Sequence, residues 1–378
     1  MNNMNFPIGI SCFITSSTAS VRLKRSATLG TMVSACKNIY FALAIASSLM
    51  LCRPALGLDR IRTTKSNVSG TIKSLSRNTV SITSGSAKRN IQTYQITYII
   101  FDKEPTEVTR AKRDVRSGRF EAAAKALEAF VPTPNLPPEI LSDVQFQRAY
   151  CAVQLALAGE ADSQKSADEM ANFLSKYPQS FHYFEAQRLA GELAMATGNW
   201  DLAKQSFTQL ATAPWDVVRL EAAVRNAQIL QAQEKYSQAL KVFQSALTMP
   251  GKEGQSQSLH QAATLGKAVC LSNAGNLDEA ISLIEQIISQ ADSENTLLHA
   301  QAYNALGKCY RDSNRPKDAL LAFLHVDVIY FNDPREHAKS LANLVQLWNQ
   351  LDNPRRAEET RKILKTRYPK SRWVQGVN

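Results

Sequence analysis

The feature that most constrains the fold is a run near residue 300, in which small and aromatic residues recur at helical spacing. The run consists of Tyr303, Leu306-Gly307, Tyr310, Ala319 and Phe323. A small residue in one helix lets a second helix approach closely, and an apolar residue four positions after the alanine fills the groove between them. The run therefore predicts a helix–turn–helix unit.

The same pattern of small and apolar residues recurs, less completely, along most of the chain. The matching positions are Gly191, Ala203 and Phe207; Ala239 and Phe243; Ala280 and Ile284; and Ala357 and Leu364. Successive alanines are 36, 41, 39 and 38 residues apart, and weaker copies lie in residues 118–127 and 143–177. Since one helix pair cannot bury its apolar face alone, about seven pairs would stack. A generic alanine-rich helical bundle is the alternative.

On these residues the chain resembles the tetratricopeptide repeat family over roughly 105–378. The resemblance implies a right-handed helical solenoid with a concave binding surface rather than a catalytic cleft. Tyr177-Pro178 and Tyr368-Pro369 resemble the repeat ends of bacterial envelope tetratricopeptide proteins, which accompany outer-membrane assembly or cell division.

In that family the first helix of each pair lines the concave groove. By spacing of i, i+4 and i+7, Asn304, Lys308 and Arg311 would point into it, and earlier first helices would offer Arg188 and Gln228. These side chains would hold a carboxylate or the backbone of an extended peptide. The alternative is that they are ordinary solvated helix residues.

The first 57 residues contain no Asp or Glu, and residues 39–52 are mostly apolar. Lys37 before this stretch and the small residues Ala55 and Gly57 after it are typical of a signal peptide cleaved after Gly57. The true start would then be Met32, and the mature protein would be exported to the periplasm or another extracytoplasmic space. An uncleaved membrane anchor, a lipoprotein and a misread start without export are the alternatives.

Residues 58–104 alternate between apolar and polar side chains, with turns at Ser76–Asn78 and Gly85–Asn90. Such period-2 patterning predicts about five short strands. So short a sheet would curl to close its core, which favours a small β-barrel like the Sm and SH3 barrels. A plain β-meander packed on the first helices is the alternative.

The net charge of +11 is divided unevenly: residues 1–57 carry +5, 58–113 carry +7, 114–334 carry −7 and 335–378 carry +6. The basic ends would favour anionic lipid or cell-wall polymer, although a solvated surface without a partner explains them equally well. Nucleic acid is the less favoured partner, because the β module offers only Tyr94, Tyr98 and Phe101 for base stacking.

The chain shows no phosphate loop, nucleophile elbow, His-x3-His pair or metal-ligand cysteine spacing. The sequence therefore predicts no catalytic residue, no metal and no cofactor, and it predicts buried thiols at Cys151, Cys270 and Cys309. The favoured function is a non-enzymatic scaffold of the bacterial envelope that binds proteins or peptides. The alternatives are a nucleic-acid binder that uses the basic β module and an accessory subunit of a cell-wall enzyme.

Overall fold

The computed structural model describes residues 57–251, 254–369 and 371–377, so the predicted signal peptide lies outside the described residues except for Gly57. Five antiparallel strands come first: β1 Asp59–Thr63, β2 Asn67–Leu75, β3 Thr79–Ser84, β4 Ala87–Gln92 and β5 Ile96–Ile100. A 3-10 turn at Thr93–Gln95 joins the last two strands. The strand order is β4-β3-β2-β1-β5.

This sheet is open, so the predicted closed barrel is wrong. The strand pairs of the described residues leave β4 and β5 as the two edges. Ile61, Val80 and Ile99 face a core that also contains Val108 and Val144 from the helices. Because the helices supply the wall that covers the apolar face of the sheet, the strands need not close on themselves to exclude water.

The described part of the chain then continues with fourteen helices of ten or more residues, followed by one of four residues. They are α1 Thr106–Arg116, α2 Phe120–Ala129, α3 Pro138–Leu157, α4 Ser163–Lys176, α5 Tyr183–Ala196, α6 Trp200–Leu210, α7 Asp216–Ala232, α8 Tyr236–Leu247, α9 Gln255–Asn273, α10 Leu277–Gln290, α11 Thr296–Asp312, α12 Pro316–Val328, α13 Pro334–Gln350, α14 Pro354–Arg367 and α15 Arg372–Gln375. Consecutive helices pack as seven pairs, from α1 with α2 to α13 with α14. Odd-numbered helices up to α13 are therefore the first helices of pairs, and even-numbered helices are the second.

Within a pair, the small residue of the first helix receives an aromatic ring from the second. A Cβ atom added to Gly191 would lie 2.5 Å from the ring of Phe207, and one added to Gly307 would lie 2.7 Å from the ring of Phe323. Both distances are shorter than a carbon–carbon contact, so these sites accept only glycine without movement of the ring. The repeat alanines are also buried: Ala203, Ala239, Ala280, Ala319 and Ala357.

The two helices of every pair are joined by a tight turn that places one residue in the left-handed region. The seven residues are Gly118, Gly159, Gly198, Glu234, Gly275, Asn314 and Asp352, with φ between 55° and 87°. In the last five pairs this residue lies five positions before the repeat alanine. The left-handed residue ends the first helix and reverses the chain, and it marks each repeat more regularly than the glycine or the aromatic residue does.

Candidate functional site

The first helices α5, α7, α9, α11 and α13 follow one another across the array, and polar side chains connect several of them. Arg225 of α7 donates to Glu192 of α5 at 3.0 Å. Lys308 of α11 donates to Asn273 at the end of α9 at 3.3 Å. We call the side chains that make these contacts, together with Arg311 and Asn343, the polar ladder.

The last step of the polar ladder joins α11 to α13, where Arg311 Nη1 donates to Asn343 Oδ1 at 2.6 Å. The side chains of Lys308 and Arg311 are 37% and 34% exposed. Lys308 also donates to Asp312 Oδ2 at 2.7 Å, so one carboxylate already lies beside two cations. The C-terminal half of the ladder thus combines accessible positive charge with fixed side-chain positions, which suits recognition of a carboxylate.

Asn304 does not lie on this surface, and its prediction as a groove residue is wrong. Its side chain is 0% exposed, and its amide donates to the backbone oxygen of Glu336 at 3.0 Å and to Glu336 Oε2 at 2.8 Å. The helical spacing placed Asn304 one turn before Lys308, but α13 packs over that turn. Asn304 therefore joins two repeats instead of contacting a partner.

The other two predicted groove residues lie in the N-terminal half of the array. Burial alone would lower the pKa of Arg188, but the nearby carboxylates Glu185, Glu221 and Glu192 raise it. Gln228 accepts a hydrogen bond from Arg225 at 3.2 Å. Positive and negative charges alternate closely here, so this half of the array carries less unopposed positive charge than the half that holds Lys308 and Arg311.

Two aromatic residues of the signature run lie near the surface rather than in the groove. The ring of Tyr303 stacks on His325 of α12 with centroids 4.4 Å apart. The hydroxyl of Tyr310 donates to Glu285 at 2.8 Å, and Arg315 lies over its ring. These contacts tie α11 to its neighbouring second helices.

A buried ionic cluster lies where the sheet meets the helices, and no sequence motif indicated it. The Lys112 ammonium donates to Asp143 Oδ2 at 2.5 Å, to Glu104 Oε2 at 2.6 Å and to the Ile99 backbone oxygen at 2.5 Å. His182 completes it, with Nε2 at 2.9 Å from Asp143 Oδ1 and Nδ1 at 3.2 Å from Glu185 Oε2. The cluster thereby joins β5, α1, α3 and α5.

The groups of this cluster hold one another in their charged forms. Burial alone would raise the pKa of Asp143, but the Lys112 charge and the His182 hydrogen bond hold it well below its usual range. Burial alone would lower the pKa of His182, but its hydrogen bonds to Asp143 and Glu185 raise it. The ring of Phe146 stacks on His182 at 3.7 Å and helps to keep water away. Because these side chains are buried, they stabilise the packing of the sheet on the helical array and are not exposed to a substrate.

A cleft of about 530 Å³ lies beside this junction, between the bulged strand β2 and the chain around Tyr177. Its charged side chains nearly cancel, with Lys73 and Lys176 opposite Glu139. The fourth charged group, Asp59, accepts backbone hydrogen bonds from Ile72 and Asp102 at 2.7 and 2.9 Å. This cleft therefore favours no particular class of ligand.

The three cysteines of the described residues are buried free thiols. Burial raises the pKa of Cys151 to about 12 and that of Cys270 to about 11, which leaves both as weak nucleophiles at neutral pH. Within the described ranges, no group of three His, Cys, Asp or Glu side chains has an arrangement that could hold a metal ion.

Comparison with known proteins identifies a repeat within this array and solved structures of similar fold. Residues 260–326 match the family model of the tetratricopeptide repeat. A tetratricopeptide repeat protein from Parabacteroides merdae ATCC 43184 superposes with a TM-score of 0.55 at 15% identity, and the match covers 72% of this chain and 95% of that chain. Residues 260–326 therefore carry a tetratricopeptide repeat, and the superposition shows that the helical array has the fold of this solved repeat protein.

A second solved structure with the same fold is a Rap protein complexed with Competence and Sporulation Factor. It matches with a TM-score of 0.52 at 12% identity, over 72% of this chain and 79% of that chain. No curated protein matches the sequence. Proteins built from tetratricopeptide repeats are generally non-enzymatic scaffolds.

Proposed function

We propose that this protein is a non-enzymatic scaffold of the bacterial cell envelope, which binds an extended segment of a protein partner along its first helices. The observation that carries the proposal is the C-terminal half of the polar ladder. There, Lys308 and Arg311 are half-exposed and are held in place by Asn273 and Asn343. Fixed donors lose little side-chain entropy when a ligand binds, which favours affinity.

The ligand group that best fits these two cations is a carboxylate, either at the end of a peptide or on an acidic side chain. The Asp312 carboxylate already lies where a ligand carboxylate would bind, 2.7 Å from the Lys308 ammonium and 3.8 Å from the Arg311 guanidinium. An incoming carboxylate would compete with Asp312 for the same donors. The Rap protein of similar fold, complexed with Competence and Sporulation Factor, supports a partner-binding role for an array of this kind.

The binding test uses a library of fluorescein-labelled acidic peptides of ten residues, each made with a free C-terminal carboxylate and with an amide. Fluorescence anisotropy with the full chain should give tighter binding for members with the free carboxylate. Lys308→Glu should weaken that binding at least about tenfold, since one lost charge-assisted contact is worth roughly 1.5–3 kcal/mol. Asp312→Asn should strengthen it, because the competing carboxylate is removed.

The matched control is Lys241→Glu, which makes the same charge change on an exposed side chain of the second helix α8. Its affinity should equal that of the wild type. Equal binding of amidated and free peptides, with no effect of Lys308→Glu in a folded variant, would remove the carboxylate site from the groove.

The envelope location rests on the leader-like composition of residues 1–57, which has no acidic residue before an apolar stretch. No helix of the described residues is long and apolar enough to cross a membrane. N-terminal sequencing of the protein from fractionated cells tests this part of the proposal. A start at Leu58 in an extracytoplasmic fraction is expected, and an intact leader in the cytoplasm would refute it.

A further inference from the structure

The outer helices near the C-terminal end of the array expose large apolar side chains in one region. In the described residues, five of the eight exposed large apolar side chains lie between positions 321 and 363: Leu321, Val328, Ile329, Phe331 and Ile363. We call these five residues the apolar surface. Val328 and Ile329 are 66% and 53% exposed, which is unusual for aliphatic residues in a folded array.

The members of the apolar surface are neighbours in space as well as in sequence. Leu321 and Val328 are seven residues apart in α12 and so share one face of that helix. The guanidinium of Arg367 in α14 lies 5.6 Å from the ring centroid of Phe331, which places the 329–331 turn beside the end of α14. Ile363 is one helical turn before Arg367 and therefore lies on the same side of α14.

Cations without ion-pair partners border this surface. Within the described residues, Lys317, Lys362, Lys365 and Arg367 are exposed and form no salt bridge. Lys317 is four residues before Leu321 in α12, and Lys362 and Lys365 lie on the exposed side of α14, within two residues of Ile363 in sequence. The outer side of α12 and α14 thus combines exposed aliphatic side chains with exposed positive charge.

The nearby carboxylates do not neutralise these cations, because other groups already hold them. Asp318 accepts from Arg315 at 2.7 Å, and Asp327 lies 2.8 Å from His337 Nε2. On α14, Glu358 pairs with Arg361, and Glu359 lies 3.4 Å from Arg355. The uncompensated charge of this region is therefore positive, consistent with the net charge of +6 in residues 335–378.

We propose that the apolar surface and its lysines bind peripherally to a lipid bilayer that contains anionic lipids. Exposed aliphatic and aromatic side chains enter the boundary between headgroups and acyl chains, while Lys and Arg remain among anionic headgroups. The surface lies on second helices and on the turn that follows α12, so a bound membrane leaves the first helices and the polar ladder accessible. This proposal is independent of the groove and of the peptide partner.

The test measures binding of the full chain to vesicles of pure phosphatidylcholine and to vesicles with three parts in ten phosphatidylglycerol, by co-sedimentation. We expect binding to rise with phosphatidylglycerol. Binding to the anionic vesicles should fall at least about tenfold in Lys362→Glu/Lys365→Glu, since each basic residue near an anionic surface contributes roughly fivefold. Val328→Asp/Ile329→Asp should also weaken binding, because it makes insertion of both side chains unfavourable.

The matched controls change exposed residues outside this region. Val131 is 81% exposed and lies after α2, so Val131→Asp should leave vesicle binding unchanged, as should Lys241→Glu. Hydrogen–deuterium exchange supplies a local readout that is independent of residues 1–57. Anionic vesicles should protect residues 321–331 and 360–367 and should leave α8 unaffected.

Three results would overturn the proposal. The first is binding that does not depend on phosphatidylglycerol or on either double substitution. The second is protection by vesicles that does not include residues 321–331. The third is protection of this region that rises with protein concentration without lipid, which would place a second copy of the chain on the apolar surface.

Discussion

Removing the Asp143 carboxylate should release the sheet from the helical array before the array itself unfolds. Asp143 is almost fully buried and contacts three polar groups: Lys112 at 2.5 Å, His182 at 2.9 Å and the Gln147 amide at 3.3 Å. In Asp143→Ala, two buried cations lose a shared counter-charge. Loss of one partner from a buried ion pair costs about 3–5 kcal/mol.

The expected loss of stability for Asp143→Ala lies at the lower end of that range. Lys112 keeps Glu104 at 2.6 Å, and His182 keeps Glu185 at 3.2 Å. Neither cation is therefore left without any counter-charge, and we expect a loss of about 3 kcal/mol. The loss should concentrate where β5, α1, α3 and α5 meet, because those are the elements that the cluster joins.

The assay is native-state hydrogen–deuterium exchange, which reports local free energies of opening. Amides of β5 and α1 should exchange faster by a factor that corresponds to about 3 kcal/mol, while those of α11 to α14 should be unchanged. Asp168→Ala is the matched control, because this exposed carboxylate only accepts from Gln164 at 2.9 Å. It should change stability by no more than about 0.5 kcal/mol.

A second variant separates loss of charge pairing from loss of packing. In Glu104→Gln/Lys112→Met/Asp143→Leu the buried cation and both of its carboxylates lose their charge, and replacing buried ion pairs by uncharged groups in this way is often neutral or stabilising. The triple variant should therefore recover most of the stability lost in Asp143→Ala. A cost below about 1 kcal/mol for Asp143→Ala, or a triple variant as unstable as the single one, would refute this account of the cluster.

Two further predictions concern pH and backbone conformation. The pKa of His182 is raised on folding, so its stabilising effect is complete below about pH 6.5 and is lost as the pH rises through the folded pKa. Hydrogen–deuterium exchange of β5 amides, measured as a function of pH, should show this loss of stability. A His182→Asn variant with the same pH profile would contradict the assignment. Glu234 is exposed with φ of 60°, so Glu234→Gly should relieve strain and stabilise by about 0.5–1 kcal/mol. Thermal unfolding should show a higher Tm for Glu234→Gly but not for Gln233→Gly, and an unchanged or lower Tm for Glu234→Gly would refute the strain argument.

The repeat could be predicted from the sequence because its determinants are local. Gly191 with Phe207, and Gly307 with Phe323, are separated by 16 residues, which spans one helix pair and its turn. In the last five pairs the left-handed turn residues have the same spacing as the repeat alanines. Three of the seven turn residues are not glycine, so their residue types did not indicate a left-handed conformation. The alternation in residues 58–104 predicted strands for the same reason, since side-chain period depends on the local backbone.

What the tertiary structure alone decided depends on neighbours that are distant in sequence. The sheet stays open because α1 and α3 cover its apolar face, and no pattern within residues 58–104 contains that information. Asn304 has the spacing of a groove residue, yet α13 buries it from 32 residues away. Asp143 and His182 meet across 39 residues. Local spacing fixes which side chains share a helix face, but only the packing of other elements determines whether that face meets water, a partner or the core.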